Sequence, residues 1–83
     1  MLTVNVRFIA TELAPGLQNG EHHIEDGTTV RELLKKCEDA SGAVIPEKNL
    51  ERLYPLFNSR PVKLETPLTD NGKLQISRVV VGG

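Results

Sequence analysis

The segment TVRELLKKCEDA, residues 29–40, decides the fold of this chain because it carries both a helix start and an apolar stripe. Thr29 and Glu32 match the capping box, in which each side chain binds the backbone N–H of the other residue. Apolar residues then recur at helical spacing, and they are Val30, Leu33, Leu34, Cys37 and, at i+10, Ala40. Gly42 follows and suits the left-handed conformation that ends a helix. The pattern predicts one amphipathic helix.

Two strands are predicted on the N-terminal side of this helix. Residues 2–8 alternate strictly, with the apolar side chains of Leu2, Val4, Val6 and Phe8 on one face, which is typical of a half-buried strand. The pair Asn19-Gly20 suits the positive φ of a turn. Residues 21–25 form a short, mostly polar run that predicts a return strand at the edge of a sheet.

A short helical turn and three strands are predicted on the C-terminal side of the helix. Pro46 can start a short helical turn, and residues 52–57 are apolar enough for a strand. Pro55 lacks an N–H, so we expect it at the start of that strand or on a sheet edge. Residues 58–61 turn the chain into a brief partner strand at 62–64. A second turn at 67–72 leads to a final strand over residues 73–81.

The order strand, strand, helix, strand, short strand, strand predicts an α+β roll with the helix packed on one face of the sheet. A right-handed crossover after the first hairpin places the last strand beside the first, in the centre of the sheet. Leu74 and Ile76 then point inward. We expect one domain over residues 1–78 and an extended C-terminal tail over residues 79–83.

Composition excludes several classes of function. The 83 residues contain 10 Lys and Arg against 11 Asp and Glu, whereas nucleic-acid binding requires a surplus of cations. The single cysteine cannot form an internal disulfide. No apolar run is long enough to span a membrane, and residues 1–7 alternate where a signal peptide would be continuously apolar. We therefore expect a cytoplasmic domain that binds neither nucleic acid nor membrane.

The interior offers no catalytic constellation. His22 and His23 are adjacent, so on a strand they point to opposite faces and cannot readily chelate one metal ion. Cys37 lies on the apolar stripe, where a buried thiol behaves as a small hydrophobic group. We expect no metal site and no bound cofactor, and whether the chain is itself an enzyme stays open.

The last five residues carry the strongest functional signal. Val79, Val80 and Val81 continue the β-branched strand, and the sequence ends in Gly82-Gly83. Five extended residues span about 17 Å, enough to enter a narrow channel in a partner. Glycine has no Cβ and lets the backbone approach catalytic groups closely. We therefore favour the interpretation that the terminal carboxylate reacts over the interpretation that the last residues are an ordinary frayed end.

These features together resemble the ThiS/MoaD sulfur carriers, which have the ubiquitin-like β-grasp fold, a mixed sheet of four to five strands with one main helix. The resemblance covers essentially the whole chain. It rests on Gly82-Gly83, the helix start at Thr29, the segment NSRPV at residues 58–62 and the segment PLTDNG at residues 67–72. The last of these is similar to the segment before the final strand in small subunits of molybdopterin synthase.

The resemblance implies that Gly83 carries the reacting carboxylate. A ubiquitin-activating-type enzyme would adenylate it with ATP, and sulfur transfer would give a thiocarboxylate that donates sulfur, most simply in molybdopterin (molybdenum or tungsten cofactor) biosynthesis. Gly82 would give access, and Val79, Val80 and Val81 would form the extended lead. The activating enzyme and the large subunit of molybdopterin synthase, or another sulfur acceptor enzyme, are the implied partners.

Several alternatives stay open. Arg78-Val79 stands where molybdopterin-type members often have two prolines, so thiamine or cysteine biosynthesis could receive the sulfur instead. The same glycines would serve a ubiquitin-like modifier that forms isopeptide conjugates. A non-reactive β-grasp interaction module is the third class. We also expect Arg7 and Ile9 of the first strand to form a partner-binding surface beside the tail with Gln75, Ser77 and Arg78 of the last strand. An ordinary solvated face has equal weight.

Overall fold

The structure is a computed structural model that describes residues 1–79. These residues form five strands and two helices. In chain order they are β1 (Leu2–Phe8), β2 (Gly20–Ile24), α1 (Val30–Ser41), α2 (Glu47–Leu50), β3 (Leu53–Phe57), β4 (Arg60–Pro61) and β5 (Gly72–Arg78). The strands form one mixed sheet in the order β2-β1-β5-β3-β4. The predicted α+β roll with one main helix is confirmed.

Strand β5 lies at the centre of the sheet. It pairs in parallel with β1, with Phe8 opposite Ile76, and antiparallel with β3, with Leu53 opposite Arg78. The prediction that the last strand lies beside the first is therefore confirmed. Within the described residues this strand ends at Arg78 rather than continuing to residue 81, and Val79 follows it outside the strand.

The core lies between one face of the sheet and α1. Each fully buried aliphatic side chain contributes about 1.5–3 kcal/mol. More than half of the buried apolar side chains come from the alternation in β1 and β5 and from the stripe of α1. They are Val4, Val6, Phe8, Leu74, Ile76, Val30, Leu33, Leu34 and Cys37. The connection between β1 and β2 adds Ala10, Leu13, Ala14 and Leu17, a contribution that the sequence analysis did not anticipate.

Helix α1 begins and ends as its sequence predicts. Thr29 Oγ1 accepts a hydrogen bond from Glu32 N at 3.2 Å, and Glu32 Oε1 accepts one from Thr29 N at 2.9 Å. The helix ends at Gly42, which has a φ of 71°. Ala40, however, is exposed. No helix within residues 1–79 is long and apolar enough to cross a membrane.

The expected turn at Asn19-Gly20 is wrong in its conformation. Neither residue has a positive φ, and Gly20 is already the first residue of β2. Asn19 acts through its side chain instead, since its Oδ1 accepts a hydrogen bond from Phe8 N at 2.7 Å. In this connection the left-handed residue is Gly16, with a φ of 85°.

Pro55 lies in the middle of β3, not at its start, and β3 has a neighbour on each side. The expected position was therefore wrong. Proline is tolerated here because its nitrogen, which carries no hydrogen, faces away from β5. Pro55 O accepts a hydrogen bond from Val62 N at 3.0 Å, and the nitrogen of a strand residue points to the same side as its carbonyl, which is the side of β4. That strand has only two residues, so the missing N–H of Pro55 interrupts no ladder hydrogen bond with β5.

The partner strand of β3 is shifted from the expected residues 62–64 to Arg60–Pro61. The cause is the tight hairpin turn, in which Asn58 and Ser59 have φ values of 51° and 70°. A two-residue turn of this type brings the next residue directly opposite the strand, so Arg60 pairs with Phe57.

Candidate functional site at the base of the C-terminal tail

The structure describes the base of the predicted tail but not its end. Val80, Val81, Gly82 and Gly83 lie outside the described residues, so the roles assigned to them stay predictions. The base of the tail consists of Arg78, Val79 and the side chains around them. We refer to this region as the tail base.

Two contacts hold the tail base to different elements. Val79 N donates a hydrogen bond to Arg52 O at 3.0 Å, just before β3 begins. The Arg78 guanidinium lies 2.8 Å from a carboxylate oxygen of Glu12, in the connection after β1. Position 79 is thus tied to the folded body, and any free tail begins after it.

An apolar patch flanks the tail base, and its strand member, Tyr54, lies on the outer face of the sheet, away from α1. Its members are Ile9, Tyr54 and Val79, which are 49%, 40% and 44% exposed. Tyr54 is paired with Ser77 across β3 and β5, and Ile9 N donates to Ile76 O at 2.9 Å. Three of the large apolar side chains exposed in residues 1–79 therefore gather where the tail leaves the sheet. We call them the outer patch.

Arg7 lies on the same outer face, one row further from the tail. It is exposed and stands opposite Gln75 of β5, which in turn stands opposite Leu56 of β3. The structure thus brings two of the predicted surface residues, Arg7 and Ile9, together. Tyr54 was missed, although the alternation of the segment LYPLF could have indicated that it points away from the buried Leu53 and Pro55.

Arg78 does not join the outer face. It follows Leu74 and Ile76 in the alternation of β5, and both of those side chains are fully buried. Its side chain therefore leaves from the core side of the sheet, where it reaches Glu12 beyond the end of the core. The sequence analysis grouped Arg78 with Ser77 on one surface, although adjacent residues of a strand point to opposite faces.

A shallow cleft of about 380 Å³ opens at the tail base. It is lined by Glu12, Leu13, Glu51, Arg52, Arg78 and Val79. Its charged groups are two carboxylates and two guanidinium groups, and none of these is a nucleophile of the kind that catalyses acyl transfer. The tail base can position and present a segment of chain.

The chemistry-bearing side chains of the body lie elsewhere. Cys37 Sγ is 3.5 Å from His22 Nε2, a contact between α1 and β2 that the sequence analysis missed because the two residues are far apart in the chain. Burial, and secondarily the Glu38 carboxylate, raises the pKa of the Cys37 thiol to about 11. Such a thiol is protonated at neutral pH and is a poor nucleophile, in agreement with its predicted role as a small hydrophobic group.

The two histidines point to opposite faces, as predicted. His22 is half-buried on the core side, and burial lowers its pKa, with further lowering by the charges of Lys36 and His23. His23 is exposed and lies 3.2 Å from Thr3 Oγ1. Among residues 1–79, no three His, Cys, Asp or Glu side chains come close enough to share a metal ion.

The sequence matches no protein-family model, and no curated protein is similar to it. Solved structures do resemble it. Molybdopterin converting factor subunit 1 from Pyrococcus furiosus has a TM-score of 0.64 at 22% identity, covering 96% of this chain and 100% of that chain. Small archaeal modifier protein 1 of H. volcanii has a TM-score of 0.72 at 17% identity, with the same coverage of 96% and 100%.

A third structure, the ubiquitin of Caldiarchaeum subterraneum, has a TM-score of 0.60 at 16% identity and covers 99% of this chain and 98% of that chain. At these identities the similarity concerns the fold. The mixed sheet with a central last strand, the single main helix and these neighbours together show that the chain has the ubiquitin-like β-grasp fold found in molybdopterin converting factor subunit 1 and in the small archaeal modifiers.

Proposed function

We propose that this protein is a sulfur carrier whose Gly83 carboxylate is converted to a thiocarboxylate. The observation that carries the proposal is the course of β5, which is paired with β1 as far as Ile76 and with β3 as far as Arg78, and which leads directly into the sequence VVVGG. A strand held in the centre of a sheet gives the tail a rigid origin. The β-grasp fold shared with molybdopterin converting factor subunit 1 supports the same proposal.

The proposed reaction has two steps. A carboxylate oxygen of Gly83 attacks the α-phosphate of ATP and expels pyrophosphate, which leaves an acyl-adenylate. A sulfide equivalent then attacks the activated carbonyl carbon, AMP leaves, and the thiocarboxylate forms. The partner supplies the nucleotide site and the sulfur, because the tail base has no groups for either step. Gly82 admits the backbone to the partner's site, and Val80 and Val81, which follow the bound Val79, lead into it.

The outer patch of Ile9, Tyr54 and Val79, with Arg7 beside it, supplies the proposed docking surface for that partner. It is contiguous with the tail base, so a partner that takes in the tail also covers the patch. Aromatic and aliphatic side chains of this kind form the centre of protein interfaces. A ubiquitin-activating-type adenylating enzyme and, later, the large subunit of molybdopterin synthase are the proposed occupants, with molybdopterin biosynthesis as the pathway.

Intact mass measurement tests the proposal. The protein is incubated with a ubiquitin-activating-type enzyme from the same organism, ATP and a sulfur source. We expect a gain of about 16 Da, since sulfur replaces one oxygen of the carboxylate. A Gly83 deletion serves as the matched control and stays unchanged. No mass change in the intact chain, with an activating enzyme that is active on another carrier, would overturn the proposal.

A ubiquitin-like protein modifier is the second candidate. The similarity in fold to small archaeal modifier protein 1 and to the Caldiarchaeum subterraneum ubiquitin favours it. In this case the acyl-adenylate passes to lysine amines of other proteins, and cells would contain high-mass conjugates that disappear on deletion of Gly83. If neither conjugates nor the thiocarboxylate form, the chain is a β-grasp interaction module.

A further inference from the structure

A continuous chain of hydrogen bonds leads from the connection after β1 to the tail base. Asn49 Nδ2 donates to Leu13 O at 3.0 Å. Asn49 O in turn accepts from Arg52 N at 2.9 Å, and Arg52 O accepts from Val79 N at 3.0 Å. Three backbone segments that are distant in sequence are thereby joined, and Val79 is the last member of the series.

Asn49 is the buried residue that connects Leu13 to Arg52 in this series. It is 9% exposed and is the one polar side chain classed as buried among residues 1–79. An amide group in that position is costly unless it is hydrogen-bonded, and here its donor serves a carbonyl of a different element. Asn49 belongs to the short helix α2, which ends at Leu50, with Glu51 between it and Arg52.

The ion pair between Glu12 and Arg78 closes the series into a ring. Glu12 is adjacent to Leu13, and Arg78 is adjacent to Val79. The ion pair between Glu12 and Arg78, at 2.8 Å, therefore joins the two ends of the series. The ring is formed by Glu12-Leu13, Asn49, Arg52 and Arg78-Val79. We call it the tail-base ring.

We propose that the tail-base ring fixes the point at which the reactive tail leaves the body, with Asn49 and Glu12 as positioning residues for the reaction at Gly83. The inference rests on the proposed function. Because Val79 is bound within the ring, the tail that can enter a partner consists of residues 80–83. Four residues span at most about 14 Å, so the partner's reacting group lies within that distance of Val79.

A positioned origin lowers the cost of association. A tail that starts from one place loses less conformational freedom on entering a partner than one whose base also moves. Loosening the ring therefore raises the KM of the activating enzyme for this protein and leaves kcat unchanged, because the reacting groups belong to the partner. The partner's site and Gly83 are not altered by any of the substitutions below.

Amide hydrogen exchange of Val79 tests the ring without reference to function. We expect Val79 N–H to be protected in the unaltered chain and to exchange about tenfold faster in Asn49→Ala, after correction for the change at Leu33 N–H, which reports global unfolding. Lys48→Ala, an exposed change in the same helix, leaves both rates unchanged. An unprotected Val79, or equal changes at Val79 and Leu33, would overturn the inference.

Pyrophosphate release from ATP by the activating enzyme tests the positioning role. Glu12→Arg is expected to raise KM for the carrier about two- to fivefold, the range that an exposed ion pair can contribute, with kcat retained. The charge exchange Glu12→Arg with Arg78→Glu restores the original KM. If the exchange variant is as weak as the single one, Arg78 contacts the partner rather than acting through Glu12, and the role of Glu12 is disproved.

The two proposals fail separately in these experiments. Absence of pyrophosphate release with the unaltered chain refutes the proposed function, while the exchange of Val79 still decides whether the ring exists. Normal pyrophosphate release in every variant, together with unchanged KM, refutes the positioning role and leaves the proposed function standing.

Discussion

Gly72→Ala is the substitution whose effect the structure defines most directly. Gly72 lies against the side chain of Asn58, and a Cβ at position 72 would overlap the Asn58 amide group. That amide accepts a hydrogen bond from Lys73 N at 3.0 Å and donates one to Asn71 O at 3.2 Å. Alanine would displace the amide and break both bonds, which join the β3–β4 hairpin to the start of β5.

The magnitude follows from those two bonds. Each contributes about 0.5–1.5 kcal/mol, and the lower entropy of an unfolded chain with alanine returns about 0.4–1 kcal/mol. The net loss in the free energy of unfolding is then about 1.3 kcal/mol at the middle of these ranges and at most about 2.6 kcal/mol. For a domain of this size about 1 kcal/mol corresponds to roughly 4–8 °C in Tm, so the middle value lowers Tm by about 5–10 °C. Urea unfolding followed by circular dichroism measures the loss.

A matched control and a double substitution isolate the cause. Gly20 is also a strand glycine, but nothing lies within 4 Å of a Cβ built there, so Gly20→Ala should raise stability by about 0.4–1 kcal/mol through the unfolded-state entropy alone. Asn58→Gly removes the obstructing amide and tolerates the positive φ of that turn. In the Asn58→Gly background, Gly72→Ala should therefore be nearly neutral. An equal loss in both backgrounds would refute the steric explanation.

Three further predictions concern α1 and its contact with β2. The lowered pKa of His22 means that its neutral form is the stable one, so its contribution is complete above its ordinary value of 6.5 and is lost as pH falls through the folded-state value. The urea midpoint should therefore decrease as the pH is lowered from 7.5 to 5. His22 lies beside Cys37, Lys36 and His23, and His22→Gln should make that decrease smaller; the same pH profile in the variant would contradict the prediction. Cys37, which is 1% exposed with a pKa of about 11, should react with a thiol-specific disulfide reagent at pH 8 only as fast as the chain unfolds, and rapid labelling in the folded state would count against its burial. Thr29→Ala should cost about 0.5–2 kcal/mol in urea unfolding because it removes the capping side chain, whereas Thr29→Ser should retain most of the stability.

Much of the architecture could be predicted from the sequence because its signals are local. The capping box at Thr29 and the stripe through Cys37 depend on spacing along one helix, and the alternation in β1 depends on neighbouring residues. The order of strands followed from the handedness of the crossover. Predictions failed where a backbone conformation depended on contacts with a distant segment, as at Asn19, whose side chain binds β1.

The motifs that carried the family resemblance also acquire a physical reason in three dimensions. The segments NSRPV and PLTDNG were quoted as separate signatures, yet Asn58 of the first occupies the space against Gly72 of the second. Neither residue alone predicts the other. The glycine is required by the asparagine, and the asparagine is held in its left-handed conformation by the backbone on both sides of the glycine.

The sequence by itself determined the helix, the strand alternation, the polar edge strand and the presence of Gly82-Gly83, because each of these is written in spacing or in residue type. Only the tertiary structure decided that His22 meets Cys37, that Ile9, Tyr54 and Val79 form one patch, and that Asn49 and Glu12 reach the base of the tail. These groupings join residues from different elements, and their contacts depend on the sheet order and register, which no local pattern records. The Gly82-Gly83 end was visible in the sequence, whereas the point from which the tail starts is a property of the fold.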